Sequence, residues 1–234
     1  MEIGIGLDRC LTFINCQLQP PGARKPAPGD ATRYRAITLS RQAGSGAHSV
    51  AEALVQRLQA KAPLGSCPWT VFDKNLVAKV LEDHHLPERL AKFMPEDRIL
   101  GISDTMDELF GLHPPSWTLV RKMADTVLRL AELGNVILIG HGASLVTGKL
   151  EHVFHVRLIG SLERRVAHLQ EYLHLSRKAA LEFANREDRG RRRFLKKYFK
   201  KDIDDPLLYH MIINTDRVSF AEAARLIVDA VSER

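Results

Sequence analysis

Residues that could bind a phosphate group lie near the start of the chain, where an apolar run gives way to a helical pattern. Residues 36–39 form a short apolar, β-branched run, and from Val50 onward apolar residues recur at the spacing of one helix face. Gly44 and Gly46 lie where the period changes. A helix that begins here leaves backbone N–H groups unpaired, and glycines let an anion approach them closely. The junction therefore indicates a phosphate site.

The match to the standard phosphate-binding loop, G-x-x-x-x-G-K-[ST], is incomplete. In that register Arg41 stands at the first glycine and Ala47 stands at the lysine. Gly46 fits the pattern, and Ser49 offers a hydroxyl group close to the start of the helix. A plain strand-to-helix turn without a ligand remains the alternative interpretation.

A second group of candidate residues is basic. Residues 186–201 contain nine Lys or Arg against Glu187 and Asp188, a net charge of +7, so the rest of the chain carries about −1 of the total of +6. Arg186, Arg189 and Arg193 lie at i, i+3 and i+7 and share one face of a predicted helix. A guanidinium group can bind two phosphate oxygens at once. The alternative is an ordinary solvated basic helix.

Five apolar runs must position these residues, and each is typical of a buried strand. They alternate with helical patterns, so we predict an α/β fold, with a parallel sheet and helices on both faces. The runs are residues 36–39, 69–72, 135–140, 152–159 and 209–214. In such a fold the ligand site lies beyond the carboxyl ends of the strands. Asp73, His141 and the segment 40–49 should meet there.

Four motifs, taken in chain order, resemble those of cytidylate kinase-like proteins, which belong to the nucleoside monophosphate kinase group of P-loop enzymes. The motifs are Gly44-Ser45-Gly46, Phe72-Asp73, Ile-Gly-His-Gly-Ala at 139–143, and Asn-Arg-Glu-Asp-Arg-Gly-Arg-Arg-Arg at 185–193. The resemblance covers roughly residues 35–234. It implies a five-stranded parallel sheet of the P-loop NTPase type, a helical insert over the acceptor, and an arginine-rich lid at about 175–202. It also implies that ATP, with Mg²⁺, donates a phosphoryl group to a nucleoside monophosphate.

Carried onto this chain, the resemblance implies four sets of site residues. The catalytic lid residues are Arg186, Arg189 and Arg193, and the acceptor-binding residues are Asp73 and His141. Ser49 is the implied magnesium ligand. The implied phosphate-binding residues are Arg41, Gly44, Ser45, Gly46, Ala47, His48 and Ser49.

Several departures from the family pattern leave the activity open. Ala47 lacks the phosphate-binding lysine, His141 replaces an arginine, and Gly190 stands where the lid has an aspartate. No acidic residue follows the third strand to hold magnesium. The first hypothesis is therefore a phosphotransferase, and the second is a non-catalytic descendant that binds a nucleotide or a regulatory partner. A nucleic-acid binder is disfavoured, because the basic segment has few aromatic residues and no stacking platform.

The chain of 234 residues is long enough for one α/β domain with a proper core, which we place at residues 35–234. The Pro/Gly-rich stretch within residues 1–34 predicts a flexible tail. Cys10, Cys16 and Cys67 have neither metal-ligand spacing nor the even number of a disulfide framework, which fits a reducing compartment. With no apolar run of about 20 residues and no secretory signal, we expect a cytoplasmic protein that does not bind membranes.

Overall fold

A computed structural model describes residues 11–17, 34–63, 65–73 and 118–232. The predicted helical insert that follows Asp73 lies largely outside these residues. Within them the chain forms five strands and seven α-helices. The strands are β1 (Ala36–Arg41), β2 (Thr70–Phe72), β3 (Val136–Ile139), β4 (Val153–Ile159) and β5 (Met211–Asn214). The helices are α1 (11–17), α2 (Ala47–Lys61), α3 (Thr118–Leu133), α4 (Ala143–Val146), α5 (Leu162–Leu173), α6 (Arg177–Phe199) and α7 (Phe220–Ser232).

The strands form one sheet in the order β2-β3-β1-β4-β5, and every neighbouring pair is parallel. In the register, Ile37 of the central strand lies beside Ile137 on one side and Phe154 on the other. The predicted α/β class with a five-stranded parallel sheet is confirmed. Parallel pairing brings the carboxyl ends of β1, β2 and β3 to one edge, which is where the candidate residues of the sequence lie.

Helices cover both faces of the sheet, because successive strand residues point to opposite sides. Ala36 and Leu138 pack in a core with α1, α3 and α4. Ile37 and Ile139 pack in a second core with α2 and α7. Since both faces are buried, the strands are largely apolar, as the apolar runs predicted.

Helix α6 carries the arginine-rich segment predicted as a lid at about 175–202, and α5 precedes it along the chain. Ser161 caps α5 and Ser176 caps α6 by accepting hydrogen bonds from the backbone N–H groups of Arg164 and Ala179. A small apolar cluster joins the two helices to the turn after β1, formed by Ala43, Val166, Leu169, Ala180 and Ala184. This packing decides which side of α6 faces the sheet edge.

Helix α1 lies within the segment predicted to be a flexible tail. Its Phe13 and Ile14 are fully buried, and the Phe13 ring makes an edge contact with Phe72 at 5.6 Å between ring centres. Cys16 forms a disulfide with Cys67, with 5.7 Å between their Cα atoms. The expectation of no disulfide is wrong, because a spacing of 51 residues says nothing about which cysteines meet in space.

The buried histidine of β4 should make stability depend on pH. Burial, and secondarily the charge of His210, lower the pKa of His155 to about 4 from a usual 6.5. Between these values the unfolded chain binds more protons than the folded one, so stability falls as pH falls from 6.5 towards 4. The loss is about 1.4 kcal/mol per pH unit.

Urea unfolding at pH 7 and pH 5 would measure this effect, with the variant His155→Gln as the comparison. Groups that titrate in both proteins cancel in the difference between them. We expect the variant to lose less stability at pH 5 than the parent protein does. Equal losses in the two proteins would show that His155 does not carry the dependence.

Candidate functional site

A cavity of about 500 Å³ lies at the carboxyl ends of β1 and β3, under helix α6. One wall is apolar and is formed by Leu39, Met123, Ile139, Phe194, Leu195 and Ile203. The polar part of the lining is mainly cationic and contains Arg41, Arg186, Arg191 and Arg193. Among the described residues, Glu187 is the one acidic residue that lines the cavity. The cavity therefore suits a ligand with an anionic end and a flat or apolar body.

Arg41, the last residue of β1, lies at the floor of this cavity. Its guanidinium group lies directly over Gly140, where any added Cβ would overlap it. Burial, and then the nearby charge of Arg191, lower the pKa of Arg41 to about 10, although Asp73, Glu187 and Asp188 oppose this. Among the described residues, no group accepts a hydrogen bond from Arg41 or forms an ion pair with it. A half-buried cation in this condition is suited to bind an anion from outside.

A neighbouring buried arginine differs in that its guanidinium group is fully engaged. Arg157 of β4 donates to Asp204 at 2.6 Å and to the Ser40 hydroxyl at 2.9 Å. Asp204 also accepts from Arg192 of α6 at 3.0 Å. This network ties α6 to the sheet beside the cavity, so Arg157 has a structural role that Arg41 lacks.

Arg191 is the lid arginine that lies deepest, and the sequence did not single it out. It lines the cavity and donates to Asp188 at 3.0 Å, and its second terminal nitrogen lies 3.6 Å from Glu187. Burial lowers the pKa of Arg191, whereas the charges of Asp188 and Glu187 raise it. The i, i+3 spacing of Asp188 and Arg191 was a readable signal of an ion pair on one helix face.

The three predicted lid arginines are divided by the structure. Arg186 and Arg193 line the cavity. The Arg186 guanidinium also lies 5.3 Å from the centre of the Phe183 ring and 3.7 Å from Glu187. Arg189 is exposed, is not among the cavity-lining residues, and donates back to the carbonyl oxygen of Asn185 at 3.1 Å.

The glycine loop, residues 42–46, joins β1 to α2 and carries two glycines with positive φ. Gly44 has φ of +82° and lies against the carbonyl group of Arg165, so that an added Cβ would overlap it. Gly46, the residue before α2, has φ of 77°, and the Phe220 ring lies against its Cα. Both positions require glycine for backbone conformation and for space.

The other predicted phosphate-binding residues lie on or beside this loop. Ser45 is buried, and its hydroxyl donates to the carbonyl oxygen of Gln42 at 2.8 Å. Ala47 is buried, His48 is exposed and Ser49 is half-buried in the first turn of α2. These residues do not line the large cavity, whereas Arg41 does. The backbone N–H of Ala43 donates to the carboxylate of Asp188 at 2.7 Å.

A smaller cavity of about 230 Å³ lies on the other side of the glycine loop. Gly44, Arg164 and Arg165 line it together with the rings of His168 and Phe220, whose centres are 5.0 Å apart. His168 Nδ1 also lies 3.0 Å from the carbonyl oxygen of Gly44. The loop thus separates a large cationic cavity from a small one with two aromatic rings.

The two predicted acceptor-binding residues lie at the same sheet edge. Asp73 follows β2, is half-buried, and is close enough to Arg41 for its charge to raise the pKa of that guanidinium. His141 lines the large cavity with φ of 58°, and its Nδ1 lies 2.9 Å from the sulfur of Met123. Parallel pairing therefore brings Arg41, Asp73 and His141 together from three strand ends.

The described residues offer little to a resident metal ion. They contain no group of three or more His, Cys, Asp or Glu side chains that could hold one. Mg²⁺ often binds through one or two protein ligands together with the phosphates of a nucleotide. Ser49, half-buried in the first turn of α2, stays the predicted hydroxyl ligand for a Mg²⁺ ion that arrives with the nucleotide.

Replacing Gly46 by alanine is expected to lower the thermal unfolding temperature. A positive φ costs a residue with a side chain about 1–2 kcal/mol, and the new Cβ would overlap the Phe220 ring. The matched control is Gly190→Ala inside α6, where nothing lies within 4 Å of an added Cβ. Alanine there should stabilise the protein by about 0.5–1 kcal/mol. Shifts of the same sign in thermal unfolding would contradict the packing described for Gly46.

The sheet order, the glycine loop and the cationic cavity together define an α/β protein with a nucleotide-kinase-like fold. The chain belongs to the cytidylate kinase-like family, whose sequence model matches residues 36–217. The predicted resemblance is therefore confirmed. No curated protein matches the chain.

One solved structure shows the same architecture. An uncharacterized protein from Eubacterium ventriosum is 18% identical, with a TM-score of 0.66 over 86% of this chain and 99% of that chain. This likeness shows the fold. A weaker likeness, with a TM-score of 0.44 and 13% identity over 84% of this chain and 96% of that chain, is to a shikimate kinase from Bacteroides thetaiotaomicron. None of the helices in the described part of the chain is long and apolar enough to cross a membrane.

Proposed function

We propose that the protein transfers the terminal phosphoryl group of ATP, with Mg²⁺, to a nucleoside monophosphate of the cytidylate type or a similar small phosphate acceptor. The observation that carries this proposal is the Arg41 guanidinium at the floor of the large cavity, which has no hydrogen-bond acceptor among the described residues. A phosphate monoester would supply the missing acceptor oxygens.

In this proposal the large cavity holds the acceptor. Arg41 and Arg191 bind its phosphate, and the apolar wall beside Phe194 accommodates the body of the molecule. Phosphoryl transfer needs alignment of the two substrates and cations on the transferring oxygens rather than covalent chemistry from the protein. Arg186 and Arg193, which face the cavity from α6, are the cations placed for that purpose.

The donor is proposed to lie across the glycine loop. The dipole at the start of α2 favours its phosphates. The small cavity between His168 and Phe220 offers two aromatic rings to its base. Mg²⁺, when bound with the nucleotide, neutralises phosphate charge, and Ser49 is the proposed protein ligand.

Release of ADP tests the activity directly. Purified protein would be incubated with ATP, Mg²⁺ and a panel of nucleoside monophosphates, including cytidylate. We expect ADP to form with one or a few monophosphates and not in their absence. A folded protein that releases no ADP with any acceptor, at millimolar substrate concentrations, would remove the kinase proposal.

A non-catalytic nucleotide-binding or regulatory descendant is the second proposed function. Ala47 gives the loop no cation of its own, and the Ala43 N–H is already engaged by Asp188, both of which favour loss of turnover. ATP that raises the unfolding temperature without any turnover would support this second proposal.

A cytoplasmic location also remains a proposal. Disulfides persist in oxidising compartments and are rare in the cytoplasm, so the Cys16–Cys67 bridge counts against it. Alkylation of thiols before cell lysis decides the matter. All three cysteines are modified if the chain resides in a reducing compartment, and Cys10 alone is modified if the bridge is present in the cell.

A further inference from the structure

The carboxylate of Asp188 occupies an unusual position for a lid residue. It lies in the middle of α6, is mostly buried with 15% of its side chain exposed, and reaches the glycine loop. Its Oδ1 accepts from the backbone N–H of Ala43 at 2.7 Å and from Arg191 at 3.0 Å. Its Oδ2 accepts from Arg165 at 2.7 Å.

These three donors come from three different elements and converge on one anion. Arg165 belongs to α5 and lines the small cavity, whereas Arg191 belongs to α6 and lines the large cavity. Ala43 lies in the glycine loop between them. The carboxylate therefore accepts hydrogen bonds from one arginine of each cavity and from the loop that separates the two cavities.

Two guanidinium groups and a backbone N–H are the donors that bind a phosphoryl group in proteins. Arg165 is additionally held in place, because its Nη1 donates to the carbonyl oxygen of Ala43 at 2.9 Å and its Nε donates to that of Gly160 at 3.0 Å. These donors therefore surround a negative charge, and the Asp188 carboxylate of the same chain supplies that charge.

We infer that Ala43 N–H, Arg165 and Arg191 form a binding site for a phosphoryl group, and that the Asp188 carboxylate competes with that group for the same donors. This inference rests on the proposed function for the source of the phosphoryl group. It adds that the lid carries an internal anion, which must leave the site before a phosphoryl group can enter it.

Titration calorimetry with inorganic phosphate tests the competition without any need for turnover. The variant Asp188→Asn removes the charge but keeps a carbonyl oxygen for the Ala43 N–H. We expect it to bind phosphate about tenfold more tightly than the parent protein, since a competing charge is gone. The control Glu182→Gln removes one negative charge from an exposed position of the same helix and should leave phosphate affinity close to that of the parent.

A double variant separates a specific site from a general change in charge. Arg165→Gln in the Asp188→Asn background should abolish the gain in affinity, because one of the three donors is lost. A gain for Asp188→Asn no greater than that for Glu182→Gln, or a gain that survives the loss of Arg165, would overturn the inference.

The unmodified protein provides an independent measurement. In an NMR titration with phosphate, the amide signal of Ala43 should shift as the ligand replaces Asp188. A signal that does not move at saturating phosphate would overturn the inference. This measurement applies even if Asp188→Asn does not fold. Parallel titrations with ATP and with a nucleoside monophosphate show which substrate supplies the group. Tighter phosphate binding without ADP release in the panel assay would leave the site standing and remove the kinase proposal.

Discussion

Replacing Arg41 by methionine is expected to lower kcat/KM for the phosphate acceptor by about 10²–10³-fold, the effect of losing one preorganised donor to a phosphoryl or oxyanion group. The same change should leave the thermal unfolding temperature unchanged or raise it. Among the described residues Arg41 makes no hydrogen bond or ion pair that the substitution would break, and burial of its charge is already unfavourable. A residue whose removal costs activity but no stability is maintained for a ligand.

Arg157→Met is the matched control, since it removes a second buried guanidinium from the same region. Arg157 is bonded to Asp204 and to the Ser40 hydroxyl, so its loss should destabilise the fold by about 1–3 kcal/mol. ADP release and thermal unfolding would be measured for both variants. The assignment of Arg41 fails if its substitution destabilises the protein as much as that of Arg157, or leaves kcat/KM unaltered in an active enzyme.

Substitution of the lid arginines should reveal a second large effect, in kcat. Arg193→Ala is expected to lower kcat by about 10²–10³-fold, because Arg193 lines the cavity and can meet charge that develops during transfer. Lys196→Ala, one turn further along α6 on an exposed position, should alter mainly the salt dependence of binding. Both variants are compared in one turnover assay at two salt concentrations.

The order of the arginine effects distinguishes a defined site from a diffuse patch. Arg186→Ala should behave like Arg193→Ala, since both line the cavity, and Arg189→Ala should have the smallest effect of the three predicted lid residues. Equal losses from Arg193 and Lys196 would mean that the basic segment acts through its total charge. The nucleic-acid hypothesis would then have to be preferred to the kinase.

The predicted positions at strand ends explain how much of the site the sequence revealed. Arg41 and His141 were chosen because they follow apolar runs, and the parallel sheet does bring both to one cavity. The i, i+3, i+7 spacing that predicts Arg186, Arg189 and Arg193 does not include Arg191. Helical spacing identifies residues that share a helix face, but it does not identify which face packs against the rest of the protein. The packing of Ala180 and Ala184 on α5 turns Arg191 inward and leaves Arg189 exposed.

Short-range patterns in the sequence by itself determined the elements of this protein. Apolar runs of strand length specified β1 to β5, and serines at 161 and 176 specified where α5 and α6 begin. Both signals act over a few residues, because strand periodicity and helix capping are properties of the local backbone.

Only the tertiary structure decided the chemistry of the site and the fate of the cysteines. The hydrogen bond between Ala43 and Asp188 joins residues that are 145 positions apart, and the disulfide joins Cys16 and Cys67, which are 51 positions apart. No local sequence pattern predicts either contact. The pKa of Arg41 likewise depends on its burial and on the charges of Arg191 and Glu187 on α6 and of Asp73 after β2. Electrostatic interactions depend on distance in space and on burial, and both are set by how the helices pack on the sheet.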